Sequence, residues 1–291
     1  MQTTILYQTQ AEEILSHQTP QTSYICHGPH GVGKKSLMID WYKSICPDIQ
    51  DVRILTTETS FGVETIQEMI EASIERPSAP YRMWVLEEAD TLTEEASNLL
   101  LKTLEEGISG NIYVFLVESV SSLLPTIVSR SIAIPYTRIE HQDMCKILSS
   151  YTSDTTQIQI ASRLSQGSVS EALEYIRSGK LSLRDDVLSM MIDIKKKPYH
   201  QIYDIVMGDA EKIYTMMRSI ILDISIINLS TQILHQDKVE EIKKAHVIWG
   251  PHIDRVIEIV HETYTHLQRV KGKIRTKHIL SCTLQIKALF T

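Results

Sequence analysis

The chain has 291 residues, a net charge of −7 and 43% hydrophobic residues, which makes it long for a single domain and too acidic to coat nucleic acid through lysine and arginine contacts to phosphate. No apolar run approaches the roughly 20 residues of a membrane span, no basic segment leads into an apolar one at the N-terminus, and Cys26, Cys46, Cys145 and Cys282 lie too far apart for a zinc or dithiol motif. A cytoplasmic protein of two or three domains with reduced thiols is expected.

In chain order, Ala11, Ile14 and Leu15 mark an amphipathic opening segment, and Tyr24-Ile25-Cys26 reads as a short buried strand. The next residues, Gly28-Pro29-His30-Gly31-Val32-Gly33-Lys34-Lys35, fit the phosphate-binding loop pattern G-x-x-x-x-G-K-[ST] except at its last position. In such a loop the glycines let backbone N–H groups turn toward phosphate oxygens, the first lysine meets the outer phosphates, and a hydroxyl beside it holds Mg²⁺. Lys35 stands in place of that hydroxyl, and its ammonium repels a metal ion. Ser36 follows, one residue out of register. His30 could donate to a phosphate, but a solvated loop histidine is the simpler reading.

Residues 34–45 continue as a helix through Leu37, Met38 and Trp41, ending at Pro47. A strand at 52–55, a helix with Ile66, Met69, Ile70 and Ile74 on one face, and a strand at 83–86 follow. That last strand is apolar on both faces, as a central strand of a helix-covered parallel sheet must be. Behind it come Glu87, Glu88 and Asp90, where an ATPase would keep its metal-associated acid and its water-activating glutamate. Glu87 is one methylene longer than the usual aspartate. Leu92, Ala96, Leu99, Leu100 and Leu104 form the next helical face, with Thr91 and Glu94 at capping-box spacing and Gly107 as its C-cap. Strands are expected at 112–117 and 132–134. The alternation predicts a doubly wound parallel α/β domain whose ligands bind at the carboxyl ends of its strands. Beyond Pro135 only helical periodicity remains, with a break at Ser178-Gly179-Lys180. The run Arg269 to Lys277 is basic without an acid; a solvated loop between two helices and a contact with DNA or an acidic partner both account for it.

The segment from Trp84 to Glu106, the strand Tyr113-Val-Phe-Leu-Val and the run Leu123-Leu-Pro-Thr-Ile-Val-Ser-Arg130 resemble the clamp-loader branch of the AAA+ proteins, and within it the bacterial DNA polymerase III delta-prime subunits. The resemblance covers residues 5–137. It implies an AAA+ α/β domain over 1–137, a helical lid over 138–184 and a helical collar that mediates oligomerisation over 185–291. It also implies partners: gamma/tau-like ATPase and delta-like subunits, with the sliding clamp and primer-template DNA reached through the complex. Ser129-Arg130-Ser131 matches the family's Ser-Arg-Cys motif, which makes Arg130 an arginine finger for ATP on a neighbouring subunit. The same resemblance puts a polar sensor near Ser119, a weak positional match, and an arginine where Ser170 stands. With Lys35 and Glu87 these are four departures at four parts of one machine, as expected for a chain that does not hydrolyse ATP itself. ATP or ADP remains the ligand such a loop would take. The four-cysteine zinc insertion of related subunits is missing between Cys46 and the next strand, so no zinc is expected. Two other readings stay open: a gamma-like ATPase using Ser36 as metal ligand, and a structural protein braced by nucleotide with Lys35 supplying the metal's charge.

Overall fold

Apolar strands that must hide both faces find cover only between layers of helices, and the first half of the chain is built that way. The computed structural model describes residues 7–16, 20–46, 49–57, 59–177, 180–208, 210–229, 233–267 and 273–290. The helix stop expected at Pro47, the break at Ser178 and Gly179 and residues 269–272 of the basic run fall outside them. The described chain divides into two compact units, one comprising Met1–Tyr151 with Gln166–Glu171 and the other Thr152–Ser165 with Ala172–Thr291.

The first unit begins with α1 (Thr9–Ser16), β1 (Ser23–His27), α2 (Lys34–Ile45), β2 (Val52–Leu55), α3 (Val63–Ile74) and β3 (Arg82–Leu86). It continues through α4 (Glu94–Glu106), β4 (Asn111–Val117), α5 (Pro125–Val128), β5 (Ile132–Pro135) and α6 (His141–Leu148). The five strands form one parallel sheet in the order β2-β3-β4-β1-β5, with β1 registered Ser23 to Tyr113 and His27 to Val117 against β4. The sheet is the doubly wound one expected from the sequence. Two cores cover it: Tyr24, Met38, Trp41, Tyr42, Val85 and Val114 pack on one face, and Ile25, Ile66, Trp84, Leu100, Phe115 and Ile127 on the other. Because β4 lies between β1 and β3, the turns that follow these three strands meet along one edge of the sheet.

Several local expectations are corrected. Thr93, not Thr91, caps α4: its hydroxyl accepts the N–H of Ala96, while Thr91 donates to the carbonyl of Glu88 within a short 3-10 turn. Leu99 is 36% exposed and Ile74 71% exposed, so neither belongs to the core that helical periodicity assigned it to. Periodicity places a residue on a face of its helix; it does not say how far the covering layer reaches. Arg82 at the start of β3 is buried and donates to the carbonyls of Ala72 and Glu75, with Asp51 at 3.5 Å, and Asp51 in turn accepts the N–H of Ala79.

The remaining helices are α7 (Thr155–Leu164), α8 (Val169–Arg177), α9 (Lys180–Ile192), α10 (Tyr199–Gly208), α11 (Ala210–Ile226), α12 (Val239–Trp249), α13 (Ile253–Leu267) and α14 (Lys273–Ala288). Because α14 starts at Lys273, the basic run is not a loop throughout: its second half is helical. In the helical unit Trp249 donates its indole N–H to the carbonyl of Met191 and packs on Phe290, and Tyr214 donates to Val260. Asp223 is fully buried; it accepts the N–H groups of Leu234 and His235 and lies 2.7 Å from His235 Nδ1. Among the described residues no helix is long and apolar enough to cross a membrane.

Candidate nucleotide site and arginine turn

β1 delivers the glycine-rich loop to the carboxyl edge of the sheet, and the loop needs its glycines. Gly28 has φ 140°, and a Cβ there would come within 2.1 Å of the carbonyl oxygen of Tyr136. Its N–H donates toward the carbonyls of Val117 and Glu118, fastening the start of the loop to the end of β4. Gly31 has φ 77°, and a Cβ there would meet the Ser168 and Ser170 hydroxyls at 2.1 and 2.2 Å. The Ser170 N–H donates to the Gly31 carbonyl. Ser170 therefore lies directly against the loop, with a neutral hydroxyl beside Gly31 where the resemblance places a cation. Gly33, also at positive φ, precedes the first turn of α2, whose leading N–H groups have no partners within the helix. Those groups, with the helix dipole behind them, suit an anion.

The two lysines behave differently. Lys34 turns its ammonium back into the loop and donates to the carbonyls of Gly28 and Pro29. Burial holds its pKa below the usual range, against the pull of Glu118, Cys26 and Asp90. His27, half-buried beside it, is lowered by burial and then by the Lys34 charge. Lys35 instead reaches across the crevice to Glu87, where Nζ lies 2.5 Å from Oε1 without hydrogen-bond alignment. Two departures from the ATPase pattern are thus one contact: the cation at the hydroxyl position is paired with the acid at the metal position. These residues do not fit Mg²⁺, because Lys35 offers no oxygen and its charge lies against the carboxylate that would be a ligand. His30, Ser36 and Glu88 are exposed, while Val32 is buried. Glu88 has φ 55°, left-handed backbone uncommon for a residue with a side chain. Ser119 is spent locally: its hydroxyl accepts the Ser121 N–H and lies 2.8 Å from the Ser121 hydroxyl.

Gln8 went unnoticed in the sequence. Its buried amide donates to the carbonyls of Val32 and Thr137 and accepts the Thr137 N–H, so it clasps the loop to the chain that leaves β5. A lone glutamine ahead of an amphipathic segment carries no signal that would have revealed this.

Arg130 occupies the other edge of the sheet. Its carbonyl accepts the Ser23 hydroxyl at the start of β1, and Ser131 donates to the same hydroxyl and to the Ile127 carbonyl. The loop starts after His27, about 13 Å further along β1 at the usual rise per residue. The guanidinium donates to the Thr126 carbonyl and the Ser129 hydroxyl and pairs with Glu105 in the last turn of α4 at 2.5 Å; the two side chains are 34% and 51% exposed. The structure therefore brings together the loop, Glu87, Glu88, Ser119 and Ser170, and sets Arg130 apart from them.

Residues 42–140 match the family described as DNA polymerase III, delta subunit. Replication factor C subunit 2 of Oryza sativa subsp. japonica is 24% identical over an alignment of 197 residues that covers 60% of this chain and 58% of that protein, so the match spans little more than half the relative's length. A DNA polymerase III gamma subunit-related protein from Thermotoga maritima is similar in fold, with a TM-score of 0.57 at 16% identity over 96% of this chain and 99% of that one.

Proposed function

We propose that the chain is a clamp-loader AAA+ protein acting as a delta-prime-like subunit of the DNA polymerase III clamp loader, a reading supported by the match of residues 42–140 to the DNA polymerase III, delta subunit family. In this role it sits in a cytoplasmic hetero-oligomer with gamma/tau-like ATPase and delta-like subunits and helps place the sliding clamp on primer-template DNA. The chain does not hydrolyse ATP; it lends Arg130 to the nucleotide of a neighbour. The proposed division is an AAA+ domain over 1–137, a lid over 138–184 and a collar over 185–291.

The observation that carries this reading is the placement of Arg130. A side chain anchored at the amino edge of β1 cannot reach phosphates held at the carboxyl edge of the same sheet, so any phosphate it serves belongs to another molecule. Arginine suits that task through its permanent charge and planar fork of donors, and a finger supplied in trans is worth about 10³ to 10⁵ in rate. Its bond to half-exposed Glu105 is no obstacle, since such pairs contribute about 0–1 kcal/mol and are readily exchanged.

The test is the complex purified with its own ATPase partners. Arg130→Ala should leave assembly intact and reduce single-turnover hydrolysis at the site it faces by about 10³-fold or more, whereas Lys34→Ala should leave the partners' hydrolysis unchanged. Wild-type turnover in an intact Arg130→Ala complex would remove the finger assignment.

A further inference from the structure

We infer that the glycine loop binds a nucleoside di- or triphosphate without a divalent cation, the Lys35–Glu87 pair standing where the metal would be. The inference rests on reading residues 28–35 as a phosphate loop and is independent of the role given to Arg130.

A phosphate loop normally meets its metal from two sides, by a hydroxyl on the first turn of the helix and by an acid behind a neighbouring strand. In this chain both sides are present as positions and both are altered as chemistry. Lys35 occupies the first turn of α2, Glu87 follows β3, and their charged atoms lie 2.5 Å apart. A divalent cation entering that contact would have to displace an ammonium and would then sit beside it. The anion-binding parts do not depend on the metal. The leading N–H groups of α2, which a helix leaves without partners of its own, and the Lys34 ammonium can turn to phosphate oxygens, with the Ser168 and Ser170 hydroxyls against Gly31 at the side. Lys35 is 45% exposed, so it can lean toward a phosphate while Glu87 keeps it in place. A metal-laden triphosphate brings its positive charge toward Lys35, and a bare one does not.

Binding of a fluorescent ADP analogue and of ATP to the purified full chain, in EDTA and in millimolar MgCl₂, tests this. Affinity should be no tighter with Mg²⁺ than with EDTA. Glu87→Gln, which frees Lys35 for the phosphates, should tighten binding in EDTA by up to about tenfold, the equivalent of one modest interaction; in a metal-dependent site the same change weakens binding. Lys35→Ser combined with Glu87→Asp should create Mg²⁺ dependence of about tenfold. Tenfold tighter binding of the unaltered chain in Mg²⁺ would overturn the inference, and so would the lack of saturation at millimolar nucleotide under both conditions. The comparison in the unaltered chain needs no variant to fold. Neither overturning result bears on Arg130, which is read out through the partners' hydrolysis.

Discussion

The ion pairs at the two edges of the α/β sheet differ from the charged and polar groups buried in the helical unit, which also carries exposed pairs such as Arg255 with Glu258. Around the sheet, Lys35 with Glu87 and Arg130 with Glu105 stand partly exposed at the two edges, Glu87 the least at 27%; among the described residues the buried exception is Arg82 with Asp51. In the helical unit Asp223 and His235 are sealed from solvent together, Arg184 is buried against Asp185 and Asp237, and Lys287 is buried with its ammonium on the Ile194 carbonyl and over the Tyr199 ring. Half-exposed pairs are cheap to open and can trade a partner for a ligand. A buried charge left without its partner is costly, which makes such groups fasteners. On the proposed function, the pairs at the sheet edges are the ones free to exchange for a ligand, and the buried groups of the helical unit hold its helices together.

The largest expected effect falls on the fasteners. Asp223→Ala should cost about 3–5 kcal/mol, because it leaves two backbone N–H groups and His235 without their acceptor in the interior; urea unfolding of the full chain measures it. A loss below about 1 kcal/mol would break the contrast. Next comes alkaline pH. Burial pushes the Cys26 thiol from 9.0 up to about 12, with Tyr136 and Lys34 acting in the opposite direction. The folded pKa lies above the unfolded one, so this stabilisation is full below pH 9 and is lost as pH rises toward 12. Melting temperature should therefore fall across that window, and Cys26→Ala, although less stable at neutral pH, should fall less steeply. An unchanged slope would show that the Cys26 thiol ionises no harder when folded than when unfolded. The smallest effect belongs to the sheet edge: Glu87→Gln should change unfolding stability by no more than about 1 kcal/mol, even though it alters nucleotide affinity. A loss as large as that of Asp223→Ala would make Glu87 a fastener too and erase the distinction.

Much of the α/β unit was legible because its signals are local. The run Met83 to Leu86 is a continuous apolar stretch because β3 is covered on both faces, and Lys34–Ile45 is helical over the span its periodicity predicts. The cap of α4 was misplaced because Thr91 and Thr93 are chemically equivalent, and only the path of the preceding 3-10 turn chooses between them. Gln8, Asp51 and Glu105 escaped notice for a related reason: each acts through a partner far along the chain, and neither residue type nor spacing announces the pairing. In the helical unit the pattern of apolar residues told of helices but not of the buried acid, histidine, arginine and lysine between them.

Residue order by itself determined the glycine-rich loop, the acids behind β3, the alternation of strand and helix and the likeness to clamp-loader proteins, since each is carried by neighbours in sequence. Tertiary structure alone decided that Lys35 and Glu87 are a single ion pair and that Arg130 lies at the sheet edge remote from the chain's own loop. Between Lys35 and Glu87 lie the rest of α2, then β2, α3 and β3, and only the parallel pairing of strands, which gathers their carboxyl ends on one edge and their amino ends on the other, sets which charges meet.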